Sequence, residues 1–210
     1  MSSLCQCPAA QNLITIPALT CGDNVGQIQK LAFPRIYSSG TTPNTMTEAN
    51  IKLLSAWQGL LTPTDNTKVV VTPFVEAPTQ EGGDPITFGG GNESLGGIEE
   101  IIGRNATVMN FVLRKYPQNI INAMKALQCE INLGVFLFDE YGRIEARLVS
   151  GTPGTDGVYA PIPIRSLFVG DKIHGGLETP DSNALRFAFP PNYSDDLVIV
   201  KPDFNPLASL

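Results

Sequence analysis

Charge is scarce in this chain: Asp, Glu, Lys and Arg supply 16% of its 210 residues, against roughly 25% in an average soluble domain. Bases are the scarcer sign, 14 against 20 acids, for a net charge of −6. No basic run occurs. That excludes a sequence-independent nucleic-acid binder, whose affinity comes from Lys and Arg displacing phosphate counterions. No stretch approaches the ~18 apolar residues of a membrane helix. Met1-Ser-Ser-Leu-Cys5 has neither the charged n-region nor the apolar h-region of a signal peptide. The expectation is a soluble chain with no membrane partner, not exported by a cleaved signal.

Histidine and tryptophan occur once each. His174 stands in Gly170-Asp-Lys-Ile-His-Gly-Gly176, where Asp171 is the nearest group to orient it, and no G-x-S-x-G supplies a nucleophile for it to activate. It reads as a solvated turn residue. Trp57 falls on a predicted helix face, so no aromatic platform for a sugar is visible. The four cysteines, Cys5, Cys7, Cys21 and Cys129, lack the paired C-x(2–4)-C spacing of a zinc site. They read as reduced, unliganded thiols, with Cys129 a small buried hydrophobe at a helix end.

Other chemical motifs fail on spacing. Gly91-Asn-Glu-Ser-Leu-Gly96 meets the G-x(4)-G part of a phosphate loop, but Gly97 and Ile98 stand where Lys and Ser/Thr would grip phosphate and magnesium. Glu99-Glu100 and Asp195-Asp196 are adjacent pairs, which point to opposite faces of an extended chain and form no facing acid and base. Asp181, Asp195 and Asp196 follow no EF-hand pattern. Three N-x-S/T sequons, at Asn92, Asn105 and Asn192, carry no weight without an export signal. No catalytic, cofactor-binding or metal residue is expected, and no cofactor.

What the chain has in plenty is glycine and proline, 20 and 17 residues, together about 18% against roughly 12% in ordinary domains. That composition disfavours helical bundles, while 42% hydrophobic residues exclude wholesale disorder. Short β-prone segments separated by turns recur: 13–17, 27–37 broken at Pro34, 67–75 broken at Pro73, 106–116, 158–164, 166–169, 184–189 and 196–201. Leu133–Phe138 and Arg143–Val149 flank Asp139-Glu-Tyr-Gly142 as a hairpin. The first strand is apolar throughout, as if covered on both faces, and the second alternates Ile144, Ala146 and Leu148 with Glu145 and Arg147. Two helices are expected. One of about 12 residues follows Thr47, with Ile51, Leu54, Trp57 and Leu61 on one face and Thr45 or Thr47 as N-cap. The other opens at Pro117 with Ile120, Ile121, Met124 and Leu127 inward.

The predicted fold is mainly β, an antiparallel β-sandwich or partly closed barrel with two short flanking α-helices. Residues 1–12 read as an N-terminal arm, 13–201 as a single β-rich domain, and 202–210 as a C-terminal arm whose Phe204, Leu207 and Leu210 need a groove, the chain's own or a neighbour's. The prolines at 34 and 73 suit edge strands. A Gly-rich loop spans 77–103 and holds seven glycines between Gly82 and Gly97. A loop this long without secondary structure is functional or disordered rather than a passive connector. Sparse charge, apolar arms and this loop favour a subunit buried against copies of itself, with Gly89, Gly90, Gly91, Gly96, Gly97, Phe204, Leu207 and Leu210 as the assembly residues.

The succession Cys21-Gly-Asp-Asn-Val-Gly-Gln-Ile-Gln-Lys30, Phe88-Gly-Gly-Gly-Asn-Glu-Ser-Leu-Gly-Gly-Ile98, Val169-Gly-Asp171 and Tyr193-Ser-Asp-Asp-Leu197 resembles virion structural proteins of tailed bacteriophages. Within that group the order of elements is similar to tail tube proteins. The resemblance implies hexameric rings that stack into a tube, other virion proteins as partners, DNA as non-specific passing cargo, and a place in the virion after assembly in the host cytoplasm. A capsid decoration or head–tail connector protein is the alternative, and a carbohydrate- or receptor-binding β-sandwich is the reading from a different class.

Overall fold

Turn formers punctuate the chain at short intervals, and the elements between them are correspondingly brief. The computed structural model describes Ile16, Ala18, residues 24–93 and residues 95–210. The expected arm at 1–12, the β-prone stretch at 13–17 apart from Ile16, and Cys5, Cys7 and Cys21 lie outside the described residues. Along the chain run β1 (Ile28–Pro34), β2 (Tyr37–Ser39), β3 (Thr42–Pro43), β4 (Met46–Thr47), α1 (Glu48–Lys52), α2 (Leu54–Leu61), β5 (Val69–Val71), β6 (Glu76–Gly82), β7 (Pro85–Gly89) and β8 (Glu99–Arg104). There follow β9 (Thr107–Arg114), α3 (Gln118–Ala126), β10 (Gly134–Asp139), β11 (Ile144–Ser150), β12 (Val158–Ala160), β13 (Ile162–Pro163), β14 (Arg165–Val169), β15 (Ser182–Phe189), β16 (Leu197–Val200) and α4 (Pro206–Ser209).

The larger sheet runs β4-β12-β11-β10-β1-β5, with β13 added on β10 and β16 on β11, and it curls into a half-barrel. A second sheet runs β14-β15-β9-β6. Pairing is antiparallel throughout both. All six residues of β10 are buried, as its unbroken apolar run requires. One face of the larger sheet, carrying Leu31, Phe33, Val135 and Leu137, packs on Phe111, Leu113, Leu185 and Phe187 of the second sheet and on Ile121 and Met124 of α3. The other face, carrying Ala32, Phe136, Phe138, Ile144 and Ala146, is covered by Ile51 and Trp57. Trp57 meets Phe136 and Phe138 edge-on, at centroid distances of 5.3 and 5.6 Å. Its indole N–H donates to the Ile51 carbonyl at 2.9 Å, so the one polar atom of this buried side chain is satisfied.

The mainly β, antiparallel fold with flanking helices is thus the architecture, with several revisions in detail. The helix after Thr47 is two: the chain turns extended at Leu53 between α1 and α2. Thr47, not Thr45, caps it, its hydroxyl accepting from the Asn50 N–H. Pro117 caps α3 from outside rather than opening it. With α4, the described residues hold four α-helices where two were expected. Pro34 ends a strand paired on both sides, to β10 and β5, so it marks no edge; β5 is the edge and stops before Pro73. Glu145, one of the charged positions alternating with Ile144 and Ala146, is buried, because its side of β11 faces the second sheet. Cys129 is exposed, not a buried hydrophobe.

The 202–210 segment is no free arm. Asn205 caps α4, its side chain accepting from the Leu207 N–H at 3.0 Å, and Phe204, Leu207 and Leu210 pack on the chain's own Trp57 cluster. Lys30 secures the last turn, its Nζ donating to the Leu207 and Leu210 carbonyls at 2.8 and 3.1 Å. A cation at a helix C-terminus complements the carbonyl dipoles there.

Candidate assembly surface

The 77–103 segment is not a structureless loop. Glycine's weak β preference hid its strands, but backbone pairing builds them: β6 adds to β9 as an edge, and β7 and β8 form a separate two-stranded hairpin. Its base is closed by the Asn105 N–H donating to the Asp84 carbonyl at 2.9 Å. Its tip is a pair of short 3₁₀ turns, Gly91–Glu93 and Leu95–Gly97. Gly89, Gly90, Gly91, Gly96 and Gly97 all sit there with φ between +56° and +101°, a region that side-chain-bearing residues rarely adopt. Five of the eight expected assembly residues therefore converge at one tip, for a conformational reason. The other three, Phe204, Leu207 and Leu210, belong to the opposite side of the larger sheet and are spent on the chain's own core.

The hairpin's side chains, which the sequence reading passed over, are its most unusual feature. Ile86 pairs with Gly103, Thr87 with Ile101 and Phe88 with Glu100. Directly opposed residues share a face and neighbours alternate, so Ile86 and Phe88 project from one face and Ile101 from the other. Phe88 is 61% exposed and Ile101 and Ile102 are each 53% exposed. Neither face is covered. A two-stranded hairpin alone is marginal in water, and apolar side chains on both of its faces gain only when something else covers them.

Acidic charge gathers in the longer β6–β8 segment that contains the hairpin. From Glu76 to Arg104 the acids are Glu76, Glu81, Asp84, Glu93, Glu99 and Glu100 against the single base Arg104, a net −5 out of the chain's −6. The far edge of the four-stranded sheet that β6 borders differs. There β14 and the segment after it expose Phe168, Ile173 and Leu177, and Lys115 and Lys172 line a shared depression together with Asp181, two bases against one acid. Both free edges of this sheet are interrupted: β6 by a bulge between Glu76 and Thr79 with Ala77 at φ +48° and Pro78 beside it, β14 by a bulge after Arg165 with Ser166 at φ +54°. Bulges, proline and charge are devices that keep an open edge from pairing indiscriminately.

The remaining expected groups lie apart. His174 is exposed in its loop, its Nδ1 3.5 Å from Asp181 Oδ2. Asp171, expected to orient it, pairs with Lys125 instead, which holds that carboxyl below its ordinary range. Glu99 and Glu100 occupy successive positions of β8. Asp195 and Asp196 sit in the exposed turn before β16. Among the described residues no three His, Cys, Asp or Glu side chains converge as metal ligands would, and no helix is long and apolar enough to cross a membrane. Compared with protein-family models, curated proteins and solved structures, the chain matches none.

Proposed function

We propose that this chain is a structural virion subunit that assembles with copies of itself, as stacked rings forming a tail tube through which DNA passes. The observation that carries the self-assembly is the β7–β8 hairpin, apolar on both faces and net acidic, with Glu93, Glu99 and Glu100 against Arg104. Two such hairpins meeting face to face would place like charges together, at a cost of several kcal/mol. The contact is therefore head to tail. The hairpin of one copy seats on the Phe168–Ile173 edge of the next, whose Lys115 and Lys172 complement its acids. Because the hairpin follows the β6 edge of the four-stranded sheet and the surface it seats on includes the β14 edge, the contact joins two different surfaces, and repeating it generates a closed ring or a filament. The tail-tube setting rests on the resemblance to tailed-phage virion proteins, and the interrupted edges leave the hairpin as the route of assembly.

Electron microscopy with sedimentation velocity tests the reading. Purified protein is expected to show rings or tubes, lost in a Phe88→Ser/Ile101→Ser variant whose β-type circular dichroism is unchanged. A wild-type species that stays monomeric at high concentration would sink it. Rings that never stack would favour the head–tail connector alternative.

A further inference from the structure

A cleft of about 270 Å³ lies between the two sheets, bounded by Val25–Ile28, by Pro78–Gln80 of β6, by Met109 and Leu137, and by Phe189 and Tyr193. Glu145 projects into it from β11, directly opposite Leu137. The residue is only 8% exposed, yet its carboxylate accepts no hydrogen bond and forms no ion pair among the described residues. Its neighbour Asp139 shows what a structural buried carboxylate looks like. Asp139 accepts from the Gly26, Tyr141 and Arg143 N–H groups at 3.1, 3.0 and 2.8 Å and from Arg143 Nε at 2.7 Å. A buried carboxylate left without donors is costly, and such groups concentrate where a ligand completes them.

We propose that this cleft binds a primary alkylammonium group, Glu145 taking the cationic head and Ile28, Met109, Leu137 and Phe189 gripping the aliphatic stem. The walls suit that shape, apolar around one carboxylate, with Tyr193 stacked on Phe189 at 4.2 Å and held by the Gln80 amide at 3.0 Å. The charged groups around Glu145 balance one another, so its own carboxylate sets the preference for a cation. Asp139, tied to Arg143, comes from β10; Glu140, which accepts from the Gln27 N–H, comes from the turn; Tyr193 precedes β16. Arg147 stands two residues along the same face of β11, its Nε buried without a hydrogen-bond partner. The elements β1, β6 and β9 present Ile28, Gln80 and Met109, which carry no charge. Burial, and then the Asp139 charge, pushes the Glu145 carboxyl up to about 7, so a bound cation competes with a proton for the carboxylate near neutrality. This inference does not depend on assembly and stands or falls separately from it.

Titration of the full-length protein with n-butylammonium chloride at alkaline pH, followed by amide chemical shifts, tests it. Residues around 26–28 and 79–80 are expected to shift saturably, n-butanol is expected to cause no such shift, and Glu145→Gln is expected to weaken binding about tenfold or more, as loss of a charge-assisted contact does. Below pH 7 the affinity is expected to fall by roughly tenfold per unit, since the proton must leave before the cation binds. Nα-acetyl-lysine methylamide separates the sources: binding of both probes marks a cleft for a protein lysine, binding of butylammonium alone marks one for a free amine. Equal binding to wild type and Glu145→Gln, or no saturable shift with either probe, overturns the proposal.

Discussion

The β10–β11 ladder and the β7–β8 hairpin are both antiparallel pairs joined by a glycine-containing turn, and both carry apolar side chains on both faces. Around Phe136 and Phe138 each face is covered, by α1 and α2 on one side and the second sheet on the other. Around Phe88 and Ile101 neither is. Apolar strand residues are thus used for folding in one place and left open in the other, and the difference is only whether this chain supplies the cover. That contrast separates residues whose loss unfolds the protein from residues whose loss leaves the monomer intact.

Mutations should follow the contrast. Phe138→Ala empties a fully buried site against Trp57 and is expected to cost about 3–5 kcal/mol, read as a lower urea midpoint. Glu145→Gln works in the opposite direction. Because the folded carboxyl titrates at about 7, above its ordinary value of 4.5, the native state holds a proton that the unfolded chain has released, and stability falls as pH rises between those values. The variant is therefore expected to match wild type near pH 4.5 and to be more stable by up to about 3 kcal/mol at pH 8, with a flatter stability–pH curve. At the hairpin's base, Gly82 has φ +89° and an added Cβ would lie 2.6 Å from the Ala106 carbonyl oxygen. Gly82→Ala is expected to cost roughly 1–2 kcal/mol, smaller than the core loss because the strain relaxes into an edge strand. Phe88→Ser is expected to change monomer stability by no more than about 0.5 kcal/mol, and a larger loss by urea titration would mean that the hairpin is part of the fold.

Sequence patterning revealed the covered ladder far better than the exposed one. Leu133–Phe138 reads as a doubly buried strand because nothing polar interrupts it, and Gly142 marks its turn. The burial of Glu145 was not legible, since alternation distinguishes two faces but not which of them is open, and here both are closed. The β7 and β8 strands were hidden by glycine, though Ile86, Phe88, Ile101 and Ile102 flanking the glycine cluster were the available signal. The positive-φ glycines of the tip were legible as a special site, but their clustering under exposed apolar side chains required the register. Phe204, Leu207 and Leu210 announced a need for cover correctly, and only the three-dimensional fold shows that the chain covers them itself, with Lys30 closing the end.

Sedimentation velocity of the wild-type protein across a concentration series, beside Phe88→Ser/Ile101→Ser, tests the central claim most directly. The expected result is a concentration-dependent oligomer for wild type, weakened by salt where its acid–lysine contacts matter, and a monomer for the variant with unchanged thermal stability. An oligomer of the same size in both proteins, or a monomer in both, would contradict an assembly built on the hairpin.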